Sequence, residues 1–134
     1  MTPPFIDELE EFLDTAVDDG LRVLRVVVPD EETDGRSFLE RYARERDDVE
    51  EDLAGNRAAC IGREALLQLW ESDRRTEMFE LGAVQYSVYR MDEAILMMFF
   101  EDSDRATVVS IDGDLDVDIQ AIGDHVRGII AEAS

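Results

Sequence analysis

Residues 83–111 read AVQYSVYRMDEAILMMFFEDSDRATVVSI, three apolar runs separated by two short acidic breaks. The runs are Val84–Arg90, Ala94–Phe100 and Ala106–Ile111, and the breaks are Met91-Asp92-Glu93 and Glu101-Asp102-Ser103-Asp104-Arg105. Apolar runs of six or seven residues with connections this short predict an antiparallel meander. The middle run, from Ile95 to Phe100, is apolar at every position. It is therefore expected to be covered on both faces, or on one face and an interface. Core is the favoured reading. The methionines Met91, Met97 and Met98 would also suit an adaptable surface.

Working outward toward the N-terminus, Phe5 to Val17 places Phe5, Ile6, Leu9, Phe12, Leu13, Ala16 and Val17 on one stripe, which predicts an amphipathic helix. Asp18-Asp19-Gly20 ends it. Leu21 to Val28 (LRVLRVVV) is rich in β-branched residues and closed by Pro29-Asp30, so it reads as an internal strand. The next helix is expected from Phe38 to about Leu53, with Ser37 or Asp34 as cap, apolar at Phe38, Leu39, Tyr42, Val49 and Leu53 and broken in the charged stretch Arg44 to Asp48. Gly55-Asn56 is a stop, and Arg57–Ile61 reads as a short second strand. Gly62 then turns the chain into a helix from Arg63 to Glu80, interrupted around Ser72-Asp73.

After the meander, Ile119, Ile122, Val126, Ile129 and Ile130 predict a closing amphipathic helix from about Asp116 to Ala133, with Asp116 or Asp118 near its start. Gly123 and Gly128 either weaken that helix by up to about 1 kcal/mol each or permit close packing on the sheet. The expected order is α-β-α-β-α-β-β-β-α. The expected fold class is α/β or α+β, one domain over residues 1–134 with helices packed on a mixed sheet of about five strands. The helical crossover between the first two strands favours parallel pairing there.

Composition narrows the function classes. The chain has 134 residues, 34 acidic against 13 basic, and a formal net charge of −21. All the basic residues are Arg and Lys is absent. The 45% hydrophobic content and clear periodicity indicate a folded domain with an acidic shell rather than a disordered chain. At molar salt the Debye length falls to roughly 3 Å, which screens neighbouring carboxylates from one another. Carboxylates also expose less apolar surface than a Lys stem. This balance resembles the proteins of salt-in halophilic archaea. So negative a surface disfavours direct nucleic-acid binding and anionic lipid. One Cys and one His build neither a disulfide nor a zinc site. No run spans a membrane and no secretory signal opens the chain, so a cytoplasmic location is expected.

No residue pattern names a reaction, and each candidate has an ordinary reading beside it. Asp112 to Asp118 alternates carboxylates as calcium loops do, but Val117 and Gly123 stand where such a loop needs Gly and Glu. An acidic turn and helix cap is the simpler reading. His125 is the only natural general base, on the flank of a structural helix. Cys60 would be a nucleophile at a helix N-terminus, or a buried small hydrophobe inside a strand, and the second is favoured. Gly62 belongs to no phosphate loop. Asp73-Arg74-Arg75 reads as a solvated basic turn neutralised by nearby Glu residues.

The order of elements around Val23–Pro29, Gly82–Arg90, Ala94–Glu101 and Thr107–Asp112 with the closing helix resembles small α/β sensor-type domains of haloarchaeal regulators. These are the DICT-like domains and the phospholipase-D-like sensor halves of TrmB-type regulators. An active phospholipase-D-type site needs a His-x-Lys pair, so with no Lys the resemblance implies lost catalysis, and it transfers no functional residue.

The resulting expectation is a non-catalytic regulatory or sensory domain of a halophilic archaeon, acting by protein–protein contact, including a homodimer, or by binding a small molecule. Ligands in parallel sheets sit beyond the strands' carboxyl ends, which makes Asp30 and Arg63 the candidate ligand-binding residues. No catalytic residue, metal or cofactor is expected. The alternatives are a small enzyme using Cys60 or His125, and an accessory factor to a DNA-binding regulator.

Overall fold

The computed structural model describes residues 2–49, 56–101 and 104–132. The meander forms as expected: β3 (Tyr86–Arg90), β4 (Ala94–Glu101) and β5 (Arg105–Asp112) are antiparallel neighbours. The amide of Met91 closes the first hairpin on the carbonyl of Ala94 at 2.9 Å. Successive side chains of a strand point to opposite faces. Ile95, Met97 and Phe99 therefore enter one core, while Met98 enters another, with Leu96 and Phe100 packed beside it. This two-sided demand is what makes the run apolar at every position.

β1 (Leu21–Pro29) pairs with β5, Leu24 opposite Val109, and β2 (Phe38–Glu45) pairs with the outer side of β1, Val28 opposite Leu39. The strand order is β2-β1-β5-β4-β3 and every pair is antiparallel. Two expectations are corrected here. Phe38–Glu45 is a strand and not a helix, and the sheet contains no parallel pair. The reason is the connection: Asp30 to Ser37 is a tight turn with a 3-10 segment at Glu31–Thr33, closed by the Asp30 amide on the Ser37 carbonyl at 2.9 Å. Oxygens of Asp30 accept from the Glu32 amide at 3.0 Å and the Ser37 hydroxyl at 3.4 Å. Residues expected to cap a helix instead turn a hairpin, and a hairpin can only pair antiparallel. The expected end of that helix at Leu53 and the Gly55 stop lie outside the described residues.

The proposed strand Arg57–Ile61 is also corrected. It is the first part of α2 (Asn56–Phe79), one 24-residue helix that runs without interruption through Ser72-Asp73. The Asp73–Arg75 segment is thus helix and not a turn, and Arg75 pairs with Glu71 one turn back at 2.7 Å. Gly62, read as a turn, lies inside the helix, where a Cβ would collide with the Phe38 ring. It lets α2 settle on the sheet.

The helices cover the two faces unequally. α1 (Ile6–Val17) and α3 (Ile119–Glu132) lie together on one face. Their Leu9, Leu13, Val126 and Ile130 bury against Leu24, Val26, Met97, Val109 and Ile111 in the main core. Asp118 caps α3, its Oδ1 accepting from the Ala121 amide at 3.1 Å. Gly123 packs directly under Tyr86, whereas nothing approaches Gly128. Close packing is thus the reading that holds at Gly123 alone. α2 covers the opposite face with a thinner core of Val27, Ala65, Met98, Ala106 and Val108. Beneath it Arg25, 1% exposed, donates to Glu40 at 2.6 Å.

Candidate functional site

The thin core under α2 leaves a cleft near the N-terminal part of that helix. Its floor is the sheet: Val23 of β1, Leu96 of β4, and Val108 and Ser110 of β5. Cys60 and Ile61 of α2 form one wall with Val49, and Met91-Asp92-Glu93 of the β3–β4 turn stand at the far side. The volume is about 620 Å³, within the few-hundred-to-thousand Å³ range of small-molecule sites. Val108 and Ser110 alternate with Val109 and Ile111, so the Ser110 hydroxyl faces this cleft and not the main core. Ser110 is 7% exposed, and its hydroxyl has no hydrogen-bond partner among the described residues.

One end of the cleft is braced by an ion-pair cluster. Arg46 grips Asp112 with two nitrogens at 2.8 and 2.9 Å, donates to Asp48 at 2.6 Å, and reaches the Asp19 carbonyl at 2.8 Å. Arg22 joins at 3.3 Å from Asp112. The Arg46 hydrogen bonds hold the Asp112 carboxyl below its ordinary range, and the same guanidinium does this to Asp48. This assigns the first carboxylate of the Asp112–Asp118 loop to ion pairing and the last to helix capping. Among the described residues, no group of three or more His, Cys, Asp and Glu is arranged to hold a metal ion.

A second feature is an exposed apolar surface at the β3 side of the molecule. β2 and β3 are the two edge strands, and they are finished differently. β2 reads Phe-Leu-Glu-Arg-Tyr-Ala-Arg-Glu, with Glu40 paired to Arg25 of β1 and Arg44 to Glu10 and Asp14 of α1. β3 reads Tyr-Ser-Val-Tyr-Arg, and has no charge before Arg90. Charged side chains on an edge strand block further pairing, so β2 is protected and β3 is open. Val88 is 41% exposed there, and Tyr89 and Met91 are similarly open. On α2, Leu67 is 49% exposed and Met78 falls in line with it eleven residues on, both pointing away from the sheet. Gln68 fixes the helix to the edge strand, donating to Tyr89 Oη and accepting from the Ser87 hydroxyl at 2.7 Å.

The residues singled out from sequence do not converge. Asp30 sits at the end of β1 beside a separate shallow cleft with Glu31, Glu32, Leu39, Arg41 and Asp104. Arg63 is exposed on α2, its Nη2 3.5 Å from Cys60 Sγ. The parallel-strand argument that selected Asp30 and Arg63 has no parallel strands to act on here. Cys60, expected inside a buried strand, is helical and exposed. His125 stacks on Phe12 with ring centroids 4.0 Å apart, on the α1/α3 side of the sheet. A five-stranded sheet therefore separates Cys60 from His125, and they cannot form a dyad. Sequence reasoning missed Ser110, one of two hydroxyls, with Thr107, in the run Ala106–Ile111.

Solved structures share this arrangement of helices and strands. A gliding protein MglB from Thermus thermophilus matches with a TM-score of 0.63 at 9% identity, covering 99% of this chain and 93% of that one. A Roadblock/LC7 domain from Streptomyces avermitilis matches at 0.59 and 16% identity, over 94% of this chain and 92% of that one. MglC from Myxococcus xanthus matches at 0.51 and 19% identity, over 96% of each chain. These place the fold with the Roadblock/LC7 domains and overturn the expected likeness to DICT-like and phospholipase-D-like sensor domains. No curated protein matches the chain's sequence. The family model described as a domain of unknown function (DUF7522) matches residues 7–131, nearly the whole chain, and the protein belongs to that family.

Proposed function

We propose that this protein is a non-catalytic regulatory domain of a salt-adapted cell that works by protein–protein contact, in the first instance as a homodimer. The observation that carries this reading is the unprotected β3 edge beside the exposed apolar residues of α2. Leu67, Met78, Val88, Tyr89 and Met91 would be an aggregation hazard if left bare, and a matching surface on a second copy removes it. An edge strand and a helix face can repeat across a two-fold axis, which gives a self-complementary contact. A structure of MglB, a protein of the same fold at a TM-score of 0.64, is described as having a tetrameric arrangement. This is support by analogy of fold.

Separation of Cys60 from His125 weighs against the enzyme alternative. The reading as a partner of DNA-bound factors finds less support, because Arg22, Arg25, Arg44, Arg46 and Arg75 already hold carboxylates. Among the described residues no helix is long and apolar enough to cross a membrane, and a cytoplasmic site fits the acidic surface.

Light scattering on a size-exclusion column in molar KCl tests the dimer. The expected mass is twice the chain's 15.2 kDa. Leu67→Glu with Val88→Glu, two exposed positions that a monomer tolerates, returns it to one chain. A wild-type protein that stays monomeric at high concentration, or a dimer indifferent to both substitutions, refutes the reading. The salt adaptation predicts a melting temperature that rises from dilute buffer to molar KCl, and a fall would exclude it.

A further inference from the structure

The cleft under α2 shares only Met91 with the contact described above, and its chemistry is specific enough to read. We propose that it binds a small amphipathic cation, an apolar body carrying a protonated amine. Val23, Ile61, Leu96 and Val108 supply an apolar bed for the body. The Ser110 hydroxyl is the one polar group set into that floor, nine-tenths buried and without a partner among the described residues. Its oxygen is open to the cleft, so it is free to bond to the head group of an occupant.

The sign of the charge follows from the rim. Asp92 and Glu93 line the mouth, exposed, and neither has an ion-pair partner among the described residues. Among the described residues of the lining Arg22 is the one cation, and it is already committed to Asp112. An anion would meet two free carboxylates on a chain of net charge −21, whereas an ammonium group meets its complement. The site thus selects against fatty acids and phosphates and in favour of amines. Met91 borders both the cleft and the proposed dimer contact, whereas Leu67 and Val88 do not line the cleft, so substitutions at those two positions tell the sites apart.

Cys60 supplies the readout, being the chain's single thiol, exposed and on the cleft wall. Octylamine, octanol and octanoate share one tail and differ in head charge. Each is titrated calorimetrically into the full chain in molar KCl at neutral pH, and each is tested for slowing alkylation of Cys60 by iodoacetamide. Octylamine is expected to bind saturably, one per chain, to raise the melting temperature and to protect Cys60. Octanol should bind about two- to fivefold more weakly, the worth of an exposed ion pair at high salt, and octanoate weaker still. Asp92→Asn with Glu93→Gln should erase the preference of amine over alcohol while leaving the alcohol's affinity unchanged. Leu96→Trp, a half-buried position, should fill the cleft and abolish binding of both. No saturable binding by any probe, octanoate binding as tightly as octylamine, or binding untouched by Leu96→Trp overturns the proposal. Running the same titrations on the Leu67→Glu/Val88→Glu protein separates loss of the cleft from loss of the dimer.

Discussion

The same substitution, glycine to alanine, should have opposite effects at two positions of α3 five residues apart. In a helix interior alanine is favoured over glycine by about 1 kcal/mol, partly because it restricts the unfolded chain. Nothing lies within 4 Å of a Cβ at Gly128, so Gly128→Ala should gain most of that amount. At Gly123 a Cβ would stand 2.6 Å from Tyr86 Cζ and 2.8 Å from its Cε2 and Oη. The ring cannot simply swing aside without losing its packing on Phe99, where the centroids are 5.3 Å apart. Overpacking of this kind costs roughly 1–3 kcal/mol, which outweighs the helix gain and leaves Gly123→Ala about 1 kcal/mol less stable than wild type. The two variants should then differ by about 2 kcal/mol, on the order of 6–8 °C in melting temperature for a domain of this size. Urea denaturation at fixed molar KCl measures the difference, urea being chosen because guanidinium would also change the ionic strength. Equal stabilisation by both substitutions would show that Tyr86 does not pin α3 to the sheet edge, and the close-packing argument would fall.

Two further predictions concern titration. Asp112 is held below the ordinary carboxylate range by its hydrogen bonds to Arg46, so its contribution to stability is complete above the unfolded value of about 3.9 and is lost as pH falls through the lower folded value. Asp112→Asn should therefore cost stability at neutral pH, and the gap from wild type should close as the solution is acidified below about pH 4; a gap that is constant with pH refutes the assignment. Tyr42 is pushed up to about 12, first by burial and then by its hydrogen bond to Glu10. Its share of stability is present below about pH 10 and lost as pH rises through 12, and phenolate absorbance should show a tyrosine titrating late. Glu10→Gln should bring that titration earlier.

The elements read correctly from sequence are those whose local pattern and tertiary role coincide. β4 is apolar from Ala94 to Phe100 because both of its faces are covered, and α1 and α3 each lay one clean stripe on one core. β2 failed because it is an edge strand in a charge-rich chain. Its Arg and Glu residues are good helix formers, and its register against β1 shifts between Val26 and Val27, which blurs the alternation. Pairing to β1 overrode the local preference. The start of α2 failed differently, since Ala-Ala-Cys-Ile is a short apolar run that fits a strand or a helix equally. Gly62 looked like a turn because its reason, the Phe38 ring across the interface, is 24 positions away in sequence.

The candidate sites were less legible still. Nothing in the linear order of Arg22, Cys60, Asp92 and Ser110 suggests a common cleft, because they come from β1, α2, a hairpin turn and β5. By itself the sequence determined the acidic exterior, the meander and the two amphipathic helices, all of which depend on composition or on neighbours within a few residues. The tertiary structure decided the antiparallel sheet, which edge stays open, and where a void remains. Those depend on which distant faces meet, and a hydrophobic stripe specifies that it must be covered without specifying by what.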